Sequence, residues 1–192
     1  NGKLATKSGL MVDPTSQIVL DAPQRYVSRA GLKLASVANK LSVQFDKATV
    51  LDVGSSTGGF TDYALQNGAS RVYAVDVGTD QMHPSLRHDP RIELHEKTDI
   101  RQFAPSKTPD IVVADVSFIS LRLILPYVAT ICDKQTAIVV MVKPQFEADR
   151  TQLTKTGIVK NDRYRRQILA DFEAWAKLYF VILDKADSDV AG

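Results

Sequence analysis

The stretch LDVGSSTGGF, residues 51–60, joins an apolar run to a glycine-rich turn. Asp52 lies within the run, and Gly54, Gly58 and Gly59 follow it. Glycine permits tight turns and close backbone approach, and such a turn after the first strand of a parallel sheet is typical of a nucleoside-binding site. The same glycines would also suit an ordinary strand-to-helix turn, so both interpretations stay open.

Outward from this turn, strand-like and helix-like segments alternate. Runs such as IVVA and IVVMV are apolar at every position, as in strands covered by helices on both faces. The pattern predicts an α/β fold with a doubly wound, mostly parallel sheet. The predicted strands are 48–53, 71–77, 91–96, 110–116, 136–143 and 180–186, the helices are a first one from Ser28 followed by 59–67, 80–88, 120–132 and 162–177, and Met141, Phe45, Phe60 and Phe118 are expected in the core.

The first 24 residues differ from the rest of the chain. Asn1-Gly2 and Asp13-Pro14 predict turns, and the segment reads as short strands too few to enclose a core. We therefore expect 1–24 to be the remnant of a small domain and 25–192 to form the main domain. Both ends of the chain are expected to be boundaries within a longer protein.

Composition bounds the function only loosely. The 192 residues are 44% hydrophobic and 24% charged, and their net charge of +2 does not by itself indicate a nucleic-acid partner. The single cysteine, Cys132, fits a reducing compartment, and we expect a cytoplasmic protein. No apolar run approaches the ~20 residues of a membrane helix. His83, His88 and His95 are scattered, so no metal site is expected.

An acid at the end of the second strand indicates an adenosine-type cofactor. Asp76 is placed to accept hydrogen bonds from both ribose hydroxyls. The glycine spacing departs from the G-x-G-x-x-G of dinucleotide sites, and an acid at Asp52 suits the cationic S-adenosylmethionine better than the pyrophosphate of NAD. Asp99 is a candidate acceptor for the adenine amino group and equally a helix cap. The expected cofactor-binding set is Asp52, Gly54, Ser55, Gly58, Gly59, Phe60, Asp76, Val77 and Asp99.

Three polar residues are expected to meet at the functional edge of the sheet. Asp115 and Lys143 end the fourth and fifth strands, and Lys33 lies beside the apolar stripe of the first helix. Each has a plainer interpretation as a solvated residue. Together they suit methyl transfer to a hydroxyl, because burial and a second cation can make a lysine a base, while the carboxylate would orient both lysines.

Four segments together resemble one known family. YVSRAGLKL, LDVGSSTGGFTDYALQNGASRVYAVDVG, ADVSFISL and VKPQFEADR follow one another as in the TlyA (hemolysin A) family of ribosomal RNA 2′-O-methyltransferases, which is similar to the FtsJ/RrmJ group. The resemblance covers about residues 25–192. Residues 1–20 resemble the second half of the family's small RNA-binding domain of the alpha-L type.

The resemblance implies a Rossmann-like methyltransferase fold, S-adenosylmethionine as methyl donor and a ribose 2′-hydroxyl of ribosomal RNA, usually cytidine, as acceptor. It implies catalytic roles for Lys33, Asp115 and Lys143, with Lys143 as the base. The family's fourth catalytic residue is a glutamate that would lie beyond Gly192, and Glu147 is not that residue. The chain is therefore expected to bind the cofactor and to be impaired in catalysis. Ala30 replaces a glycine that the family often has.

An RNA substrate implies a basic surface beside the site. The loop 145–158 adjoins Lys143, contains glycine and is a candidate lid over the substrate. The basic residues that are candidates for RNA contact are Lys3, Lys7, Arg25 and Arg29 on one side, and Arg150, Lys155, Lys160, Arg163, Arg165 and Arg166 on the other.

Three other functions compete with RNA methylation. A module that binds RNA or ribosomes without catalysis would not need Lys33, Asp115 and Lys143. A cytolysin, which the family's older name suggests, would need membrane-spanning or strongly amphipathic segments, and the sequence has neither. An NAD-dependent oxidoreductase is disfavoured by the glycine spacing, and titration with S-adenosylmethionine and NADH would separate the two.

Overall fold

The computed structural model describes residues 9–19 and 25–190, and its centre is a five-stranded parallel sheet. The strand order is β3-β2-β1-β4-β5, so the chain winds outward from β1 in both directions. This confirms the predicted doubly wound α/β fold. The strands are β1 (Thr49–Val53), β2 (Arg71–Val75), β3 (Ile92–His95), β4 (Ile111–Ala114) and β5 (Ala137–Val140), and the helices are α1 (Arg29–Ala38), α2 (Gly59–Gln66), α3 (Leu125–Thr130), α4 (Pro144–Glu147) and α5 (Asp162–Ala176).

Each central strand is apolar at almost every position because both of its faces are covered. In β1, Val50 faces the core shared with α1 and α2, whereas Leu51 and Val53 face the core shared with α3 and α5. Successive side chains of a strand point to opposite faces, so a strand between two layers of helices must be apolar on both. The polar exceptions in β1 are Thr49 at its start and Asp52, and both are buried within the protein.

Two predicted helices differ in the structure. Residues 80–88 form turns, because Asp80 has a φ of 55° and the Leu86 amide donates to His83 three residues back. Met82 and Leu86 are nevertheless buried, which explains the misleading apolar spacing. The predicted helix 120–132 divides into a 3-10 turn at Leu121–Leu123 and the short α3.

The predicted sixth strand, 180–186, is wrong as a strand. Its side chains alternate as expected, with Phe180 and Ile182 against the core and Val181 and Leu183 more than four-fifths exposed. Its backbone, however, joins no ladder in the described part of the chain, where β5 pairs with β4 alone. Side chains hold this part of the chain: Lys185 pairs with Glu173 of α5 at 2.6 Å, and Asp189, three residues after the segment, pairs with Lys40, which follows the end of α1, at 2.9 Å.

The described residues of the early segment, 9–19, lie outside the core. Residues 9–19 are exposed throughout and contain the predicted turn at Asp13, whose carbonyl accepts from the Ser16 amide, but no strand. Asn1-Gly2 and the lysines Lys3 and Lys7 lie outside the described residues. The division into a small domain and a main domain stays a prediction.

Helices α1 and α2 touch without an intervening layer of side chains. A Cβ at Gly31 would lie 2.5 Å from Tyr26 Cβ and 2.9 Å from the Gly59 carbonyl oxygen, and one at Gly59 would meet Ser28 and Ala30. The segment before α1 is anchored to α2 by Asp62, whose carboxylate accepts from the Val27 amide at 2.8 Å. This close crossing fixes the distance between the glycine turn and the lysine carried by α1.

Candidate active site at the carboxyl edge of the sheet

The glycine turn is built from backbone hydrogen bonds at the end of β1. The amides of Gly54 and Ser55 both donate to the Val75 carbonyl of β2, at 2.9 and 3.2 Å. Gly54 and Gly58 have φ values of 79° and 88°, in the left-handed region that favours glycine. A side chain at Gly54 would also press on Val116. The turn therefore requires glycine at these two positions for its own conformation.

Two of the predicted glycines are close to protein groups. A Cβ at Gly58 would lie 2.5 Å from Met82 Sδ and 2.6 Å from Leu86 Cδ1, whereas one at Gly59 would meet α1. Their lack of a side chain is thus explained by packing in this structure. Their contact with a cofactor stays a prediction.

Asp76 links the turn to the segment after β2. Its carboxylate accepts from the amides of Ser56 at 2.8 Å and Gly78 at 2.7 Å. A carboxylate has about four acceptor sites on its two oxygens, so these bonds leave capacity for ribose hydroxyls. The neighbouring Val77 is 73% exposed, as an apolar contact for a ligand must be. Both predicted residues therefore lie at the mouth of the turn.

Asp52 lies beneath the turn. Its carboxylate is buried and accepts a hydrogen bond from Thr61 Oγ1 of α2 at 2.7 Å. Burial raises the pKa of Asp52 from 3.8 to about 7, because desolvation disfavours the charged form more than the Thr61 bonds favour it. Phe60 is also buried, in the core as its packing assignment predicted, so its side chain is remote from solvent. Direct cofactor contact by either residue stays a prediction.

Asp99 caps a 3-10 helix, Ile100–Gln102, in agreement with its plainer interpretation. It accepts from the Arg101 amide at 2.9 Å, and its carboxylate pairs with the Arg101 guanidinium at 2.6 Å. The Arg101 side chain lowers the pKa of Asp99, so the carboxylate is ionised near neutral pH. Its use as an adenine acceptor stays a prediction.

Ser55 provides an unsatisfied polar group at the turn. Its side chain is 5% exposed, and Oγ has no hydrogen-bond partner among the described residues. Buried hydroxyls are nearly always paired, so an isolated one is suited to a polar ligand atom. The place of Ser55 in the cofactor-binding set stays a prediction.

Lys33, Asp115 and Lys143 come together at the carboxyl edge, as their positions in the sequence predicted. Lys33 Nζ donates to Asp115 Oδ2 at 3.3 Å, and Lys143 Nζ lies 2.8 Å from Oδ1. The second contact is an ion pair whose angle is unsuited to a hydrogen bond. All three side chains are less than one-fifth exposed. One carboxylate thus pairs with two ammonium groups, one carried by α1 and one by the segment between β5 and α4.

Ser117 joins this cluster and was missed from the sequence. Its Oγ accepts a hydrogen bond from Lys143 Nζ at 2.8 Å. The one sequence feature that could have indicated Ser117 is its position two residues after Asp115, in the loop that follows the carboxyl end of β4. A serine in such a loop is too common to single out without its partner.

Phe118 was predicted to be in the core, and this prediction is wrong. Its side chain is 93% exposed, and its φ of 64° is rare for an aromatic residue. The left-handed turn after Ser117 directs the ring outward, where it lies 5.4 Å from the ring of Phe146. Lys143 Nζ is 5.9 Å from the Phe146 ring, so two aromatic rings border the cluster.

Glu147 holds the two sides of the cluster together. Its side chain is 1% exposed and accepts from Ser120 Oγ at 2.6 Å and from the Leu121 amide at 2.7 Å. Arg122 Nε lies 3.6 Å from Glu147 Oε2, so a cation is paired with this buried carboxylate. Glu147 therefore has a structural position beside the cluster rather than in it.

The basic candidates for RNA contact make few contacts within the described residues. Lys160 donates to the Thr151 carbonyl at 2.7 Å, whereas Arg25 lies over the Tyr26 ring. The loop predicted as a lid is partly ordered by α4, a 3-10 turn at Arg150–Gln152 and a bridge between Leu153 and Val159, and its role stays a prediction. Within the described residues no ion pair is made by Arg29, Arg150, Lys155, Arg163, Arg165 or Arg166.

The described ranges contain neither a membrane-spanning helix nor a metal-binding cluster. No helix there is long and apolar enough to cross a membrane. No group of three or more histidine, cysteine or acidic side chains in the same ranges could hold a metal ion. Cys132 is half-buried, and burial raises the pKa of its thiol to about 11.

Curated relatives share much of this chain. It is 38% identical over 186 residues to the 23S rRNA (cytidine-2′-O)-methyltransferase TlyA of Campylobacter jejuni, covering 96% of this chain and 70% of the relative. It is 46% identical over 151 residues to YqxC of Bacillus subtilis, covering 77% of this chain and 54% of the relative. The chain thus spans only about half the length of YqxC.

A solved structure agrees with the fold. A Streptococcus thermophilus protein classed as a hemolysin superimposes with a TM-score of 0.78 at 43% identity, covering 83% of this chain and 59% of that one. The family model described as FtsJ-like methyltransferase matches residues 26–191, which include the glycine turn and the Lys33–Asp115–Lys143 cluster. The chain therefore belongs to the FtsJ-like methyltransferase family.

Proposed function

We propose that the protein transfers a methyl group from S-adenosylmethionine to a ribose 2′-hydroxyl of ribosomal RNA, at a cytidine. The observation that carries this proposal is the pairing of Lys33 and Lys143 on one buried carboxylate, Asp115, beside the glycine turn. The Campylobacter relative, which is a ribosomal RNA cytidine-2′-O-methyltransferase, supports the substrate class. Such an activity belongs in the cytoplasm, where ribosomal RNA is found.

The residues of the turn suit S-adenosylmethionine. The unpartnered Ser55 hydroxyl and the free acceptor sites of Asp76 are polar groups that a nucleoside with an amino acid tail would use. The exposed Val77 would lie against the adenine ring. When bound, this cofactor supplies a methyl group that is activated by its positively charged sulfur.

The three charged residues of the cluster have distinct proposed roles. Lys143, in its neutral form, accepts the proton of the 2′-hydroxyl as general base. Asp115 orients both lysines, and Lys33 places a positive charge on the opposite side of that carboxylate. Ser117 limits the rotation of the Lys143 ammonium group by accepting one of its hydrogen bonds. By holding the hydroxyl in one position, the cluster would also lower the entropic cost of bringing it to the methyl donor.

The rim of the site suits an unpaired nucleotide. Phe118 and Phe146 present aromatic surface next to Lys143, and single-stranded RNA is recognised largely by the stacking of bases on such rings. The unpaired arginines of 150–166 suit the phosphates. These features do not favour a cytolysin, since none of them would bind a lipid surface.

The proposal is tested with the full-length protein, ribosomal subunits and S-adenosylmethionine labelled in its methyl group. We expect label in ribosomal RNA, resistant to alkali at one position because a 2′-O-methyl group blocks cleavage there. Label on a base would contradict the ribose as acceptor. RNA binding without any transfer would favour the alternative of an RNA- or ribosome-binding module that retains the cofactor site.

A further inference from the structure

A groove of about 330 Å³ opens directly beside Lys143. It lies between α4, the turn at 154–158 and the first turns of α5. The described lining residues take no part in the Lys33–Asp115–Lys143 cluster. They are Pro144, Gln145, Gly157, Ile158, Val159 and Arg165.

We propose that this groove binds the nucleotide next to the methylated one in the RNA strand. The base would lie on Pro144 and Ile158, with its edge at Gln145 and its phosphate at Arg165. This inference rests on the proposed function, because it takes the 2′-hydroxyl at Lys143 as its reference point. Pro144 lines the groove and follows Lys143 directly, so the groove is within reach of the neighbour of a nucleotide held at Lys143.

The apolar wall of the groove is held in place although it faces solvent. Ile158 is 65% exposed. Its backbone is fixed by the turn, because the Ile158 amide donates to Thr154 Oγ1 at 3.1 Å and the Ile158 carbonyl accepts from the Thr154 amide at 2.8 Å. Gly157, with a φ of 79°, permits this tight turn. A fixed, exposed apolar side chain offers contact area to a flat base at little cost in ordering.

The polar residues of the groove are free to bind a ligand. Arg165 is exposed and makes no ion pair with any described residue. A guanidinium group matches the geometry of a phosphate and can bind it through two hydrogen bonds. The Gln145 side chain makes no hydrogen bond to any described residue, and its amide offers both a donor and an acceptor to a base edge. Apolar wall, amide and guanidinium together correspond to the parts of a nucleotide.

The test compares Arg165 of α5 with Lys134, an exposed lysine before β5 that is not among the basic candidates. Arg165→Gln removes the charge that lines the groove, and Lys134→Gln removes an exposed charge at the amino end of a strand, away from the groove. The first readout is the dissociation constant of the full-length protein for a ribosomal RNA transcript, measured by fluorescence anisotropy over a range of salt concentrations. We expect Arg165→Gln to weaken binding about 10-fold and to lower the salt slope by about 0.7, as for one lost single-strand phosphate contact. We expect Lys134→Gln to change binding less than about 3-fold, because a charge that contacts no phosphate contributes little to affinity.

A second pair of variants tests the apolar wall. Ile158→Ala should weaken RNA binding several-fold, whereas Val181→Ala, at a residue that is 85% exposed elsewhere, should not. Affinity for S-adenosylhomocysteine should be unchanged in all four variants, which shows that each is folded. Equal effects of Arg165→Gln and Lys134→Gln, or unchanged binding by Ile158→Ala, would contradict the proposal that the groove binds RNA. Failure of the wild-type protein to transfer a methyl group would instead refute the proposed function, and the binding comparison would still decide on the groove.

Discussion

The Glu147 carboxylate accepts a hydrogen bond from the Leu121 amide at 2.7 Å, and this bond joins the loop after β4 to the helix after β5. Asp115 precedes the first of these segments and Lys143 precedes the second. The ion pair between Asp115 and Lys143 therefore spans two segments that a buried carboxylate already holds together. Catalytic geometry and local stability are coupled through Glu147.

Replacing Glu147 tests this coupling. Glu147→Ala leaves the Leu121 amide and the Arg122 guanidinium without their partner in a buried place, and we expect a loss of about 2–4 kcal/mol in the free energy of unfolding. Urea denaturation measures it. Glu93→Ala removes a carboxylate that is 43% exposed and should cost less than about 1 kcal/mol. A loss for Glu147→Ala no larger than for Glu93→Ala would contradict the buried role.

Lys143 should be required for transfer and not for cofactor binding. We expect Lys143→Ala to lower the rate of methyl transfer by the ~10²–10⁴-fold that a general base contributes. Its affinity for S-adenosylhomocysteine, measured by calorimetry, should stay within about 2-fold, because a lysine outside the turn contributes little to cofactor binding. Lys134→Ala, at an exposed lysine, is the matched control and should leave both quantities unchanged. If Lys143→Ala retained turnover, Lys143 could not be the general base.

Asp76 should carry a large part of the cofactor affinity. Asp76→Ala removes the predicted bonds to both ribose hydroxyls and also the two amide bonds that shape the turn. We expect calorimetry to show binding of S-adenosylhomocysteine weakened by about 2–4 kcal/mol. Asp89→Ala removes an aspartate paired only with nearby Arg91 and should leave affinity unchanged. Equal affinities of Asp76→Ala and the wild type would show that the cofactor does not bind at this edge of the sheet.

Asp52 should make the stability of the fold depend on pH. Its pKa is about 7 in the folded chain and near 3.8 when unfolded, so between these values the folded chain keeps a proton that the unfolded chain has lost. Stability from this group is therefore full below about pH 4 and is lost as the pH rises towards about 7, by on the order of 2–4 kcal/mol. Asp52→Asn keeps an acceptor for Thr61 and carries no charge. Urea unfolding at pH 5 and pH 8 measures the free energy of unfolding of both proteins. Relative to the wild type, Asp52→Asn should be more stable at pH 8 than at pH 5. The same difference at both pH values would show that the carboxylate lies in a more polar environment.

Gly31 should tolerate no side chain. Alanine is the better helix former by about 1 kcal/mol, yet its Cβ would meet Tyr26 and the Gly59 carbonyl, and overpacking of this kind costs about 1–3 kcal/mol. We expect Gly31→Ala to lower the urea midpoint, whereas Arg29→Ala, on the exposed side of the same helix, should change stability by less than about 0.5 kcal/mol. A gain in stability for Gly31→Ala would show that the two helices can separate.

The sheet could be predicted because its signals are local and repeated. The apolar runs around Asp52 and Asp115 are explicable only by a strand with two covered faces, and β1, β2 and β4 lie within the predicted ranges. The helix at 80–88 failed because burial of Met82 and Leu86 mimics a helical stripe, while the left-handed conformation of Asp80 leaves no signal in the sequence. The strand at 180–186 failed because side-chain alternation does not specify a backbone partner.

The candidate site was predictable where residues stand at strand ends. Asp115 and Lys143 had to converge because parallel strands end at one edge, whereas Lys33, beside the apolar stripe of a helix, gave a weaker signal that the resemblance to a family supported. Phe118 was misplaced because its outward direction depends on one positive φ, which hydrophobicity does not report. Ser117 needed the position of Lys143 Nζ before it could be distinguished from any other loop serine.

The half-buried Cys132 offers a practical route to observing the groove. With a pKa of about 11, its thiol stays protonated at neutral pH and reacts slowly with maleimides. It is the only cysteine of the chain. A cysteine introduced in place of Ile158, which is mostly exposed, would therefore take up a fluorophore selectively without removal of the native thiol. Emission from that dye would report directly on the arrival of an RNA strand.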